Sequence, residues 1–431
     1  MFRKRKCIGG VHMSQTLIAG IILVVIIALF LSEKIPLAVT SLAGAVIVGL
    51  FGLVEHKAVF TSFASTSMVL MISMMIVGSS LFHTGLAQKI GNVLYKMTGG
   101  SERSLILISV LSGTLLSSVC SGTATLVTLF PIITSLCVTA RVSVSKTYLP
   151  LSYGICFGSM LTVAASGMGT ASSGLLEDAG FRAWGFLEPA YVGAPLAVVG
   201  IIVLMIIGGK VLPDTHMEPE MSKTDEEDRK SHTSAKMWIS GIVMIAIFVM
   251  MIISPKGLPL YMISSTGVVV LLLTRTISQK QMFDSISWSS VFLIAGMTTV
   301  ANAVSNSGLG QVIADSILKL CGNNQNPVFI IAVLLLVTAL LTQFLSNNAS
   351  ILIMAPIGIA LANSLGIEPY AFVMATFVGC LSCFCTPMAT PALAYVMEPG
   401  GYRYRDFAKA GLLMQLVYFI VGLIVIPLVW L

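Results

Sequence analysis

Acidic side chains are scarce, and none falls in the interior of an apolar run. The 431 residues include 18 Asp and Glu; seven lie in the segment 213–235, and the rest stand at the ends of apolar runs or between them. A buried carboxylate relay is therefore missing, which weakens a proton-antiporter reading. Missing too are the paired carboxylates with which a membrane enzyme would hold Mg²⁺ against a diphosphate. No nucleophile elbow, "HExxH" or Walker "GKS/T" occurs, so no catalytic residue is assigned and the chain reads as a non-enzyme. The eight cysteines fall mostly inside apolar runs, which is not a secreted disulfide framework. Cys380, Cys383 and Cys385 read as small packing residues rather than a transition-metal site. His83, near the end of a run, reads as an interface residue. The net charge of +6 fits basic loops and implies no nucleic-acid partner.

What the chain has instead is hydrocarbon. Hydrophobic residues make up 56% and charged residues 10%, a balance far outside that of soluble domains. Runs long enough to cross a ~30 Å hydrocarbon core recur throughout. Ten spans are predicted, at 16–33, 36–54, 61–84, 148–172, 190–212, 236–254, 258–275, 288–306, 369–392 and 409–430. The expected fold is an all-α polytopic membrane protein, embedded in a lipid bilayer, with a bacterial cytoplasmic membrane as the expected location. Continuous apolar runs without period-two alternation argue against a β-barrel. The span 16–33, after an N-terminal tail at 1–15, reads as retained rather than as a cleaved signal peptide. Two longer stretches, 104–139 and 327–364, each hold enough residues for two short helices around a polar middle.

The chain repeats itself. "FTSFASTSMVLMISMMIVGSSLFHTGL" from Phe60 matches "FDSISWSSVFLIAGMTTVANAVSNSGL" from Phe283 at an offset of 223 residues. "SGTATLVTLFPI" from Ser121 matches "SNNASILIMAPI" from Ser346 at 225, and Gly158 pairs with Gly379 at 221 and Ser166 with Thr390 at 224. Three blocks in one order divide the chain into halves at 16–212 and 236–431, joined by a polar segment at 213–235 that reads as a flexible linker. Each half holds five spans plus a broken stretch that adds none or two. An odd count turns the second half over, giving inverted repeats. With the N-terminus inside, only eight of the 24 Lys and Arg would face the cytoplasm. The positive-inside rule thus favours the N-terminus outside, and initiation at Met13 would remove four of the dissenting charges in "MFRKRK".

Polar residues at membrane depth are costly unless they line a cavity or are satisfied within the protein. Gly122 and the pair Asn347-Asn348 are expected to break the two long stretches, while "AASGMGTASSG" at 164–174 and "CTPMATPALAY" at 385–395 break the spans that follow. In the latter, Pro387 and Pro391 remove backbone donors; in the former, Gly167 and Gly169 loosen the chain. Small residues also serve helix packing, and Ser or Thr can bond back to its own helix. Four symmetry-paired breaks instead point to a transport site, where helix N-termini meet anions and free carbonyls meet cations.

These residues resemble the divalent anion/sodium symporter family, within the ion transporter superfamily that includes citrate and arsenite permeases. The marks are "SGT" at Ser121-Gly122-Thr123 and "SNN" at Ser346-Asn347-Asn348, each leading to a Pro-Ile pair, and "TPALAYVMEPGGYRYRDF" near the end. The resemblance implies re-entrant hairpins at 104–139 and 327–364, broken helices at 148–172 and 369–392, and interfacial arms near 87–98 and 310–321. It implies a mobile transport domain moving as an elevator against a scaffold that forms a homodimer. Ser117, Ser121 and Ala165 would bind one sodium ion; Thr342, Ser346, Asn347 and Ala389 would bind a second. Gly122, Thr123, Ser166, Asn347, Asn348, Thr390 and Pro391 would line the site for a small anionic substrate. Three positions depart from the family pattern. Gly122 stands in place of Asn, Asn348 in place of Thr, and Ser166-Gly167 in place of Thr-Pro or a similar pair. The expected function is a secondary active transporter that moves a small anion, a di- or tricarboxylate, across the cytoplasmic membrane, coupled to sodium or another cation and needing no cofactor. Alternatives are a sodium/proton antiporter or an arsenite or sulfate permease of the same superfamily, then a passive channel or a membrane enzyme.

Overall fold

The computed structural model describes residues 14–215 and 234–431, except 33, 97–100, 256, 321, 323, 324 and 389; for 91, 92, 94–96 and 210 it describes the backbone alone. Residues 1–13, most of the segment read as a linker and Ala389 thus lie outside the described residues. The described residues of the first half form α1 (Gln15–Ser32), α2 (Leu37–Leu50), α3 (Thr66–His83), α4 (Leu86–Lys96), α5 (Glu102–Ser117), α6 (Gly122–Ala140), α7 (Ser145–Gly158), α8 (Gly167–Asp178) and α9 (Ala190–Val211). Those of the second form α10 (Ser234–Ile253), α11 (Leu260–Leu273), α12 (Gln279–Asp284), α13 (Trp288–Asn306), α14 (Leu309–Leu320), α15 (Pro327–Leu341), α16 (Asn347–Leu365), α17 (Tyr370–Leu381), α18 (Pro391–Met397) and α19 (Tyr404–Trp430). Eight of them (α1, α3, α6, α9, α10, α13, α16 and α19) are long and apolar enough to cross a bilayer. Hydrocarbon leaves the backbone no water, so each apolar run closes its hydrogen bonds within a helix.

The helices stop where the sequence supplies a cap. α6 and α16 end on left-handed residues, Arg141 (φ 55°) and Gly366 (φ 69°), and begin on Ser121 and Ser346. The breaks therefore lie one step earlier than expected. Gly122 and Asn347 are the first residues of α6 and α16, and residues 118–121 and 342–346 form the turns, because the serine hydroxyls cap the helices that follow.

The two halves interlock. α2 packs on α13 and α11 on α3, each crossing from one half to the other. Small residues permit it: a Cβ on Gly296 would stand 2.7 Å from the Ser41 carbonyl carbon, and the Ser41 hydroxyl donates to the Phe292 carbonyl at 3.1 Å. Hydroxyls tie the same crossing elsewhere, between Thr84 and Ser240 at 2.7 Å and from Thr16 to the Ser307 carbonyl at 2.7 Å. Around the broken elements, α5 lies on α7 and α15 on α17. This second pairing brings backbone onto backbone. A Cβ on Gly154 would stand 2.2 Å from the Val110 carbonyl oxygen, and one on Gly113 2.7 Å from that of Leu151.

Such contacts leave no room for a methyl group. Gly154→Ala is expected to destabilise the protein by about 1–3 kcal/mol, the usual range for overpacking. Gly209→Ala, with nothing within 4 Å of the new Cβ, should melt as the unsubstituted protein does. A thermal melt of detergent-solubilised protein reads the difference; equal melting of the two variants refutes the close α5–α7 approach.

Candidate functional site

Four interruptions of the α-helices matter here: the turns after α5 and α15, and the breaks between α7 and α8 and between α17 and α18. Ser121 accepts from the Ala124 amide at 3.4 Å and Ser346 from the Ala349 amide at 3.3 Å, each meeting one of the donors a helix start leaves unpaired. The residues that close α5 and α15 play matching parts. Ser117 donates to the Ile155 carbonyl at 2.9 Å, and Thr342 lies 3.1 Å from the Cys380 carbonyl. A third match joins Thr162 to the Ser118 carbonyl at 3.0 Å and Thr386 to the Gln343 carbonyl at 2.9 Å. Each turn is thus fastened to the break of its own half.

The two centres part at Gly122 and Asn347. Asn347 is buried; its Oδ1 accepts from Thr342 at 2.8 Å, and its Nδ2 lies 3.3 Å from the Cys383 sulfur. The amide therefore spans the gap between turn and break. In the first half Ser159 holds the place of Cys383, and its hydroxyl meets Ser117 directly at 3.0 Å. No side chain is needed at residue 122, and none fits: a Cβ there would stand 2.7 Å from Ile155 Cγ2. The missing amide is thus matched by a direct serine–serine bond and an isoleucine methyl.

Asn348 faces the other way. Its Oδ1 lies 3.6 Å from where a Cβ on Gly167 would stand, with Ile294 and Met71 at 3.1 and 3.5 Å from the same point. The start of α16 thus meets the start of α8, whose cap Ser166 accepts from the Gly169 amide at 3.2 Å. Glycine at 169 is required by a close approach, since its Cβ would lie 2.5 Å from the Val163 carbonyl oxygen. Among the described residues the Asn348 amide has no hydrogen-bond partner, which leaves it available to a ligand. Ala165 is buried in the short 3₁₀ turn Val163–Ala165. Thr123 is exposed beside Gly122, Thr390 precedes α18 with Pro391 at its first turn, and neither threonine hydroxyl hydrogen-bonds among the described residues. α18 is fixed against the first half, with Ser152 donating to the Ala392 carbonyl at 2.8 Å and the Tyr395 ring edge-on to Phe130.

A cleft of about 750 Å³ opens among the start of α3, the end of α8, the connection 179–189 and the turn between α10 and α11. Arg182 supplies its one basic side chain among the described lining, already clamped by Glu188 through bonds of 2.9 and 3.0 Å. A narrower recess shares Ser67 and Glu177 with the cleft and extends to Met71 and Ile294, the side chains against Gly167. Glu177 accepts from Thr66 at 2.6 Å and Asp178 from Asn302 at 3.2 Å across this recess. Ile155, Ser159, Cys383, Met71 and Ile294 carry no motif of their own. Of these, only the Ser159–Cys383 pair could have been found, by extending the 224-residue offset.

Two outcomes follow. Gly122→Asn should lower the melting temperature by several degrees, and adding Ile155→Ala should recover most of it; no recovery would mean that Ile155 does not fill the amide's space. Asp178 stands at the open rim, where partial burial pushes its carboxyl above the usual range, Glu177 adds to the rise, and the Asn302 bond opposes it. A raised acid pKa favours the protonated folded form, so this contribution is present at low pH and lost as pH rises through the folded value. Asp178→Asn should therefore raise the melting temperature at pH 8, with the gain shrinking toward pH 4; a gain independent of pH refutes the account.

Comparison with known proteins gives this geometry a place. The arrangement matches the crystal structure of the Alcanivorax borkumensis YdaH transporter with a TM-score of 0.57 over 96% of this chain and 98% of that one, at 15% identity. It matches the Neisseria gonorrhoeae MtrF structure with a TM-score of 0.58 over 98% and 96%, at 16% identity; at such identities the likeness is one of fold. An uncharacterized transporter of Synechocystis is 32% identical over 39% of this chain and 28% of its own length. One of Haemophilus influenzae is 24% identical over 94% and 90%, and the mouse Na(+)/dicarboxylate cotransporter 3 is 28% identical over 33% and 23%. The chain thus aligns with about a quarter of the length of the Synechocystis relative. A family model described as citrate transporter matches residues 27–377, and the chain therefore belongs to the citrate transporter family.

Proposed function

We propose that this transporter moves a small di- or tricarboxylate anion across the membrane, coupled to sodium. The observation that carries the reading is the pairing of Asn347 and Asn348 at one helix start: the first amide is turned inward onto Thr342 and Cys383, the second outward toward Gly167 at the start of α8. An anion between the α16 and α8 N-termini would meet backbone donors, the positive ends of two helix dipoles and a free amide, without a buried Arg or Lys. Thr123, Ser166, Thr390 and Pro391 complete that lining, with Gly122 setting its shape. Sodium at the tip of the second helix pair would use oxygens of Thr342, Ser346, Asn347 and the backbone at Ala389. A counterpart at Ser117, Ser121 and Ala165 would lack the amide, so the second site is the stronger. The name of the mouse relative supports both the sodium and the dicarboxylate.

Movement follows from the same geometry. The halves are read as inverted repeats with the N-terminus outside, α5–α9 and α15–α19 forming the moving body and the interlocked α1–α4 and α10–α14 the scaffold that pairs in a homodimer. The 750 Å³ cleft lies between these bodies and would be the outward vestibule.

Proteoliposome uptake of labelled succinate, malate and citrate, with and without an inward sodium gradient, tests the reading. Accumulation above the equilibrium level is expected only with the gradient. Asn347→Ala should reduce sodium-stimulated uptake at least about tenfold, the cost of one charge-assisted contact, while insertion in the membrane is retained. Sodium-independent uptake of the same size would remove the coupling, and no accumulation under any cation gradient would remove the transport mode.

A further inference from the structure

The turn after α15 holds a second polar centre that neither proposed sodium site uses. Gln343 is buried, with 8% of its surface exposed; its Nε2 donates to the Ala339 carbonyl at 3.0 Å and to the Ser382 carbonyl at 2.8 Å, and the Gln415 Oε1 stands farther off at 3.5 Å. Those two acceptors fix which way the amide faces, since the reverse orientation would set its oxygen against both carbonyls. The amide oxygen, Oε1, is left buried with no donor, and so is the hydroxyl of Ser382, a residue only 2% exposed. Two oxygens without partners on residues joined by a 2.8 Å bond are an expensive arrangement unless something binds them.

The arrangement is not a by-product of the repeat. The bonds that match Thr162 with Thr386 and Ser118 with Gln343 set Gly158 opposite Ser382, not opposite Gly379 as the sequence match had it; the Ser118 hydroxyl is satisfied by the Leu115 carbonyl at 2.7 Å, and Gly158 has no side chain. Its place in the fold is equally specific. Gln343 belongs to the turn that opens α16, Ser382 ends α17, and Thr386 ties the same turn to the same break through the Gln343 carbonyl at 2.9 Å.

We propose that Gln343 Oε1 and Ser382 Oγ, with backbone carbonyls of the 382–386 break, form an additional site for a monovalent alkali cation of about sodium's size. Neutral amide and hydroxyl oxygens suit a singly charged hard cation; a divalent one would call for carboxylates. An ion held there bridges turn and break and stiffens the tip on which Asn347 and Asn348 are presented. The inference rests on the cation-coupled transport reading for its role, but binding can be tested without transport.

The test is the melting temperature of purified, substrate-free protein titrated with sodium, lithium or potassium chloride against choline chloride, for the wild type, Ser382→Ala, Gln343→Leu and Asn347→Ala. A buried hydroxyl that binds nothing is a burden, so Ser382→Ala should melt no lower than the wild type in choline. It should gain less from the preferred alkali cation, with half-saturation shifted at least about threefold to higher concentration. Gln343→Leu should lose that component entirely; if it fails to fold, the milder Ser382→Ala decides. A full cation response in Ser382→Ala overturns the site, as does a wild type that no alkali cation stabilises. Loss in Asn347→Ala alone would overturn it while leaving the transport reading to the uptake assay.

Discussion

A backbone polar group inside hydrocarbon has no water to turn to, and each helix break in this chain must be satisfied by the protein itself. That requirement explains why serines precede α6, α8 and α16, and why the hydroxyls of Ser117, Thr162, Thr342 and Thr386 reach across to carbonyls of neighbouring segments. It also explains the glycines along α5 and α7, which let backbones approach closely where bulk would hold them apart. A break supported in this way can expose a few groups to a ligand without unravelling the helices around it.

The same support is built twice and then differentiated. Ser117 and Thr342 hold equivalent places, as do Thr162 and Thr386, yet an amide bridges turn and break in the second half and a direct serine pair does so in the first. Ile155 fills the volume that Gly122 leaves open. One turn thus joins its break through a side-chain amide, while the other does so through hydroxyls alone. Gln343 and Ser382 extend the imbalance, because the first half has only a satisfied serine and a glycine at those positions. The second half accordingly carries amide groups around its turn where the first has only hydroxyls.

The cleft and the recess share Ser67 and Glu177, and the recess reaches Met71 and Ile294, the side chains that stand with Asn348 beside Gly167. Carboxylates at the recess are engaged by Thr66 and Asn302, on α3 and α13, whereas they belong to α8. Those bonds join the pieces that must separate if the broken helices move against the interlocked ones. They are also lone polar contacts, the kind that can be broken and remade at small cost.

The lengths of the apolar runs marked the helices in outline, because a bilayer admits few ways of closing hydrogen bonds; of the ten expected spans, 148–172 and 369–392 are divided into α7 and α8 and into α17 and α18, and α2 and α11 are only 14 residues long. The paired Ser-Gly-Thr and Ser-Asn-Asn segments marked both turns, because a serine hydroxyl at each caps the helix that follows. What the sequence by itself could not decide was direction. Adjacent asparagines look alike in a string, and only the packing of α16 against α17 and α8 turns Asn347 inward to Cys383 and Asn348 outward to Gly167. Nor could it tell that Gly122 is matched by Ile155, or that Gln343 is held by two carbonyls with its oxygen left over. These outcomes depend on contacts between residues tens to hundreds of positions apart, and such contacts exist only once the two halves have closed on each other.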